Sequence, residues 1–197
     1  MALSRHWDDA TIAAVAGRMG MPPDIRFFTA GEVATASALC DRLLAQDEDP
    51  RVPVVAFIDQ RLTEKETDGW HYDDMPPDDQ AWRDSLAALD EDARRDHGVR
   101  FDELAPSAQV EYLQAVQGSS EDAWHGMPPG RVWGLWTRYA CTAFYSHPWA
   151  WEEIGFTGPA YPRGYKNRGI DAREPFEVRD DRPDLDPTKA SRARGAR

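Results

Sequence analysis

The chain has 197 residues, of which 29% are charged, and its formal net charge at pH 7 is -12. This length fits one domain with a tail. An acidic surface repels phosphate backbones and anionic lipid headgroups, so the charge disfavours binding to nucleic acid and docking on a membrane surface. No run approaches the roughly 20 apolar residues that a membrane span needs, so we also expect no direct membrane insertion.

Most of the chain shows the three- and four-residue hydrophobic spacing of amphipathic helices. After an N-terminal arm over residues 1–25, with a short helix near 10–17, the first strong stripe follows Thr29. Thr29 and Glu32 have the spacing of a capping box. A second helix follows Pro53, and a third ends near Gly98. A fourth begins at Pro106, whose missing N–H costs nothing at the first helical position.

The fifth helix, over residues 131–145, is apolar around much of its circumference, which predicts a central helix with several neighbours. No alternating run longer than about four residues suggests a strand. The sequence therefore predicts an all-α fold, an irregular bundle of about five to six helices over residues 26–165. The chain should close on an extended, mostly irregular C-terminal segment that includes the stretch from residue 149, and residues 166–197 should form an extended or flexible tail. The acidic runs near residues 47–49 and 73–74 are expected to be solvated loops.

Aromatic residues are concentrated late in the chain, where five of the eight tryptophans and four of the six tyrosines lie between Trp124 and Tyr165. Part of this group has helical spacing and is expected to form core: Trp133, Trp136, Tyr139 and Phe144. The later rings fall in a stretch broken by glycine and proline, from residue 149 to 165. Large aromatic residues in such a stretch are candidates for anchors in a protein interface.

No pattern in the chain predicts a catalytic, cofactor-binding or metal-binding residue. No histidine pair has the spacing of a zinc helix, and there is no Cys-x-x-Cys. Cys40 and Cys141 are expected to be buried free thiols, and His147 to bind the last carbonyls of the preceding helix. Two alternatives stay open. In one, the Trp149 and Trp151 region, with Glu152 or His147, forms the site of a stand-alone sugar-binding or enzymatic domain. In the other, the chain is a purely structural or regulatory interaction module.

Three groups of segments, in order, resemble the small subunit (subunit 3, or gamma) of membrane-associated gluconate 2-dehydrogenase and its relatives. The first covers residues 28–32, 39–43 and 53–59 and ends in Phe57-Ile-Asp59. The second covers residues 97–109, with Phe101, Leu104, Pro106 and Gln109 at the family's spacing. The third covers residues 144–148 and 151–159 and closes on Gly158-Pro159. The twin-arginine export signal usual in the family is not seen.

The resemblance implies a non-catalytic partner of a flavin-dependent dehydrogenase of the glucose–methanol–choline (GMC) type, which acts on sugars, sugar acids or glycosides. It implies FAD in that partner, none in this chain, and a heteromeric complex. Without a signal peptide we expect a cytoplasmic location, or a periplasmic one if the partner carries the signal. We predict that the closing aromatic stretch contacts the partner through Trp149, Trp151, Ile154, Phe156, Pro159, Tyr161, Arg163 and Tyr165.

Overall fold

The computed structural model describes residues 7–70, 72–154, 156, 158 and 159. Within these residues the secondary structure is helical, with no strand, which confirms the predicted all-α fold. The α-helices are α1 (Asp9–Arg18), α2 (Ala30–Leu44), α3 (Val54–Thr63), α4 (Asp78–His97), α5 (Pro106–Gly118), α6 (Pro129–Tyr145) and α7 (Pro148–Glu153). A short 3₁₀ helix, Phe101–Glu103, connects α4 to α5.

The described chain divides into two compact units. One unit is Val15–Ala150, and the other combines the described parts of Met1–Ala14 and Trp151–Arg197. The predicted domain boundaries at residues 25 and 165 stay predictions, since residue 165 and the tail at 166–197 lie outside the described residues.

Helix α6 is the centre of the larger unit, as its apolar circumference predicted, and it packs against α2, α3, α4 and α5. Trp136, Tyr139 and Phe144 are buried, whereas Trp133 is only partly buried at the edge of the core. The ring of Trp82 on α4 meets Tyr139 edge-on at 5.8 Å, an arrangement that aromatic pairs favour. The predicted core half of the aromatic group is therefore confirmed, with Trp133 at its margin.

The local signals for helix ends also appear in the structure. Thr29 Oγ1 accepts the backbone N–H of Glu32 at 3.3 Å, and Glu32 Oε2 accepts the backbone N–H of Thr29 at 2.7 Å. This reciprocal pair is the predicted capping box at the start of α2. Gly98 ends α4 with a φ of 75°, and Pro106 opens α5. These residues set where the helices begin and end because each satisfies or avoids an unpaired backbone group.

In the smaller unit, residues from the start of the described chain contact residues from its end. Trp7 Nε1 donates to the carbonyl of Pro159 at 2.7 Å. Gly158 has a φ of +95°, and a Cβ added there would collide with the Trp7 ring. Glycine is thus required at this position for two reasons: the positive φ of its backbone and the close approach of the Trp7 indole.

None of the described helices combines the length and the apolar composition needed to cross a bilayer.

Candidate partner-binding surface

The described part of the predicted interface is divided between exposed and buried side chains. Ile154 and Phe156 are 57% and 41% exposed. Trp151 is buried, and Trp149 is partly buried and packs against the core. Pro159 is bound through its carbonyl to Trp7. Three predicted contacts lie outside the described residues: Tyr161, Arg163 and Tyr165. The interface stays a prediction, but its exposed apolar surface in the described residues is that of Ile154 and Phe156.

The stretch from residue 149 was expected to be irregular, and this was wrong for its first part, because α7 extends from Pro148 to Glu153. Side chains two residues apart on a helix point in different directions. The ring of Trp149 lies 4.8 Å from that of His147, whereas the ring of Trp151 lies 5.5 Å from that of Phe156. The predicted sugar platform needed a strand or an extended loop at these two residues, and α7 is neither.

His147 caps a different helix from the one expected. Its Nδ1 accepts the backbone N–H of Trp149 at 3.2 Å, at the start of α7, so the imidazole does not serve the last carbonyls of α6. Burial lowers the pKa of His147, and a hydrogen bond to the backbone of Arg18 opposes that effect only in part. A buried, neutral imidazole whose nitrogens are used in this way is a structural residue rather than an available base.

In the Phe57-Ile-Asp59 motif, the aspartate binds the backbone segment that precedes α2. Asp59 is completely buried. Its Oδ1 accepts the N–H of Arg26 at 2.7 Å, its Oδ2 that of Phe28 at 2.8 Å, and both oxygens accept that of Phe27, at 3.2 and 3.0 Å. Three consecutive N–H groups around a carboxylate form an anion-binding concavity. Asp59 thus anchors the segment that leads into α2, and it has no open side for a substrate.

Gln109 has the same kind of role in the second motif. Its Nε2 donates to the carbonyls of Phe101 at 3.1 Å and of Leu104 at 3.2 Å. These bonds tie the 3₁₀ helix to the first turn of α5. Gln109 and Phe101 are both buried. The spacing from Phe101 to Gln109 is therefore set by this local hydrogen-bonded structure.

Glu32 combines its capping role with an ion pair. Arg83 donates through Nη1 to both carboxylate oxygens of Glu32, at 2.6 and 2.8 Å, and through Nη2 to the carbonyl of Phe27 at 2.6 Å. Burial raises the pKa of Glu32, but the hydrogen bonds from Thr29 and the ion pair with Arg83 outweigh it and lower the pKa overall. The polar residues of the motifs that resemble the family are thus engaged with the chain itself.

A groove of about 830 Å³ lies on the side of α3 and α6. The positive and negative charges of its lining are equal in number: Arg18, Arg61 and Lys65 are positive, and Glu64, Glu66 and Asp68 are negative. Burial raises the pKa of Asp68, but Arg61 and Arg138 together lower it below its ordinary value. A carboxylate held in its charged form by two guanidinium groups is a poor general acid, and the lining contains no histidine or cysteine.

No group of three or more His, Cys, Asp or Glu in the described part of the chain has the arrangement of a metal site. Cys40 and Cys141 are free thiols, but only Cys40 is buried. Burial raises the pKa of the Cys40 thiol far above its ordinary range. The expectation of burial was wrong for Cys141, which lies on an exposed face of α6.

A second exposed aromatic surface was not predicted from the sequence, which indicated only a solvated acidic loop near residues 73–74. Trp70 and Tyr72 lie in this loop and are 51% and 40% exposed. Arg131 and Arg138, both on α6, stack on these rings. We call these four residues the aromatic–arginine patch. The signal in the sequence that could have revealed it was a pair of large aromatic residues, separated by a single residue, in an otherwise polar loop.

Comparison with known proteins agrees with the resemblance of the motifs. A family model described as gluconate 2-dehydrogenase subunit 3 matches residues 30–158, which is more than half of the chain. No curated protein and no solved structure shows significant similarity to the chain. The matched range contains α2 to α7, together with Asp59, Gln109 and Gly158, whose structural roles are described above. The chain belongs to the gluconate 2-dehydrogenase subunit 3 family.

Proposed function

We propose that this chain is a non-catalytic small subunit that binds, stabilises and helps mature a flavin-dependent dehydrogenase of the GMC type. The catalytic partner would hold FAD and oxidise a sugar, sugar acid or glycoside. The observation that carries the proposal is the family match over residues 30–158, whose description is that of a subunit.

The use of the motif side chains supports this proposal. Asp59, Gln109 and Glu32 bind the chain's own backbone and an internal arginine. Residues that serve catalysis need an open side toward a substrate. A family pattern made of residues that maintain a fold fits a subunit whose task is to present a surface.

The exposed apolar residues toward the end of the described part of the chain are the part of that surface that we assign to the partner. Ile154 and Phe156 are large, exposed and only two positions apart. Burial of apolar side chains of this size in an interface is typical of its energetic centre.

Co-expression with the GMC-type dehydrogenase of the same organism tests the proposal. A tag on the small chain should recover the dehydrogenase with a flavin absorption spectrum, whereas the small chain alone should show no flavin and no dehydrogenase activity. The double variant Ile154→Ser/Phe156→Ser should recover far less of the dehydrogenase.

The matched control is Met21→Ser, which removes an apolar side chain that is 92% exposed at another place. This variant should recover as much dehydrogenase as the unchanged chain. Dehydrogenase activity of the purified small chain by itself, or no association with the flavoprotein, would refute the proposed function.

A further inference from the structure

The aromatic–arginine patch presents two large rings to solvent in a fixed arrangement. Trp70 and Tyr72 meet edge-on, with centroids 5.0 Å apart and planes at 85°. Large exposed rings that lie together mark interaction sites more often than isolated ones do. Tryptophan, tyrosine and arginine are also the residues most enriched where binding energy concentrates.

Arg138 fixes the tryptophan side of the patch. Its guanidinium lies 5.4 Å from the centroid of Trp70. The same group pairs with Asp68 and donates to Asp78 Oδ2 at 2.8 Å, and the Tyr139 hydroxyl donates to that oxygen at 2.7 Å. Because Arg138 is held from two sides, the surface beneath Trp70 is ordered before any partner arrives. Such preorganisation lowers the entropic cost of binding.

Arg131 differs from Arg138 because most of its donors have no partner within the residues that the structure describes. Its guanidinium lies 3.5 Å from the centroid of Tyr72 and is 41% exposed as a side chain. Its one ion pair in the described part of the chain, from Nε to Asp74, has a length of 3.5 Å. Among the described residues no hydrogen bond engages its terminal nitrogens. A planar guanidinium stacked on a ring, with both terminal nitrogens available, is suited to bind a carboxylate by two parallel hydrogen bonds.

A hollow of about 100 Å³ lies beside these donors, and its lining combines the apolar side chains of Trp70, Met75 and Leu135 with Asp78 and the two arginines of the patch. Sites for small molecules usually enclose about 300 Å³ or more, so the hollow is small for a sugar. It has room for one aliphatic side chain. A hollow of this size next to a guanidinium with available donors matches a protein surface that presents an acidic residue beside an apolar one.

We infer that the aromatic–arginine patch is a docking site for a segment of the catalytic flavoprotein subunit in which a carboxylate binds Arg131 and a neighbouring apolar side chain enters the hollow next to Trp70. The inference rests on the proposed function for the identity of the partner. Its evidence is separate from that for Ile154 and Phe156, since it uses the stacking, the free donors and the hollow of this patch.

Affinity measurements between the full chain and the purified dehydrogenase test the inference. Trp70→Ala should raise the dissociation constant about 30-fold, which is the effect of removing a hot-spot residue. Arg131→Ala should raise it about tenfold. Arg51→Ala is the matched control because the Arg51 side chain is also 41% exposed. It should bind within about twofold of the unchanged chain. Circular dichroism and thermal unfolding should show that all three variants keep the fold.

The dependence of affinity on salt concentration tests separately whether a carboxylate of the partner binds Arg131. Affinity of the unchanged chain should fall as salt screens the pair at Arg131, and this fall should be smaller for Arg131→Ala. If the unchanged chain binds the dehydrogenase but both patch variants bind equally well, the inference is wrong and the proposed function stands. If Arg131→Ala weakens binding with unchanged salt dependence, the carboxylate assignment is wrong. If the unchanged chain does not bind, the proposed function fails, and the inference fails with it.

Discussion

Replacement of Asp59 by asparagine should destabilise the fold strongly, although the two side chains have nearly the same shape. The carboxylate accepts N–H groups from Arg26, Phe27 and Phe28, and its two oxygens share these donors. Asparagine keeps one oxygen but turns an NH₂ group toward at least one backbone donor. That donor loses its partner inside a completely buried site.

The expected loss follows from the bonds that change. A hydrogen bond to a charged group contributes about 1.5–3 kcal/mol, and a buried donor left without a partner costs about 1–3 kcal/mol. With one donor orphaned and the others bound to a neutral oxygen, we expect Asp59→Asn to lower the free energy of unfolding by about 3 kcal/mol. For a chain of this size that corresponds to a fall in Tm of roughly 6–12 °C.

Urea unfolding followed by circular dichroism measures this loss directly. Asp73→Asn is the control, because it makes the same chemical change at an exposed loop position and should alter the free energy of unfolding by less than about 0.5 kcal/mol. A loss below about 1 kcal/mol for Asp59→Asn would show that the carboxylate does not hold the segment before α2.

Three further variants test other parts of the structure. Gln109→Glu replaces the donor to the carbonyls of Phe101 and Leu104 with a carboxylate and should cost about 2–3 kcal/mol in urea unfolding; an unchanged midpoint would contradict that role. The pKa of Glu32 is lowered from its ordinary 4.5, so its contribution to stability is present above that pH and is lost as the pH falls through the folded pKa. Glu32→Gln should therefore weaken the dependence of unfolding free energy on pH in this acidic range, and an unaltered pH profile would argue against the capping and ion-pair account. Gly158→Ala should loosen the contact with Trp7 and shift tryptophan fluorescence toward that of a solvated indole; a spectrum identical to that of the unchanged chain would contradict the close approach.

Much of the fold could be predicted from the sequence because the signals were local. The capping pair at Thr29 and Glu32, the proline that opens α5 and the glycine that ends α4 each act within one turn of helix. The central position of α6 followed from its wide apolar circumference, since a helix with apolar residues on several sides needs several neighbours.

The parts that could not be predicted depend on contacts between residues far apart in sequence. The role of Asp59 needs the backbone some 30 positions earlier to turn toward it. The patch needs Arg131 and Arg138 of α6 to lie over Trp70 and Tyr72, which no periodicity reveals. Helix α7 was missed because its six residues are too few to show a hydrophobic period, and its start depends on the His147 cap.

The central claim is that this chain stabilises a flavin-dependent catalytic subunit, and the thermal unfolding of that subunit tests it most directly. The dehydrogenase should be measured alone and with the small chain at increasing concentration, with flavin fluorescence as the reporter of FAD release. A partner that binds only the folded state adds about 2.7 kcal/mol at a concentration 100 times its dissociation constant, so the release temperature should rise with concentration. A release temperature that stays constant at every concentration of the small chain would contradict the account.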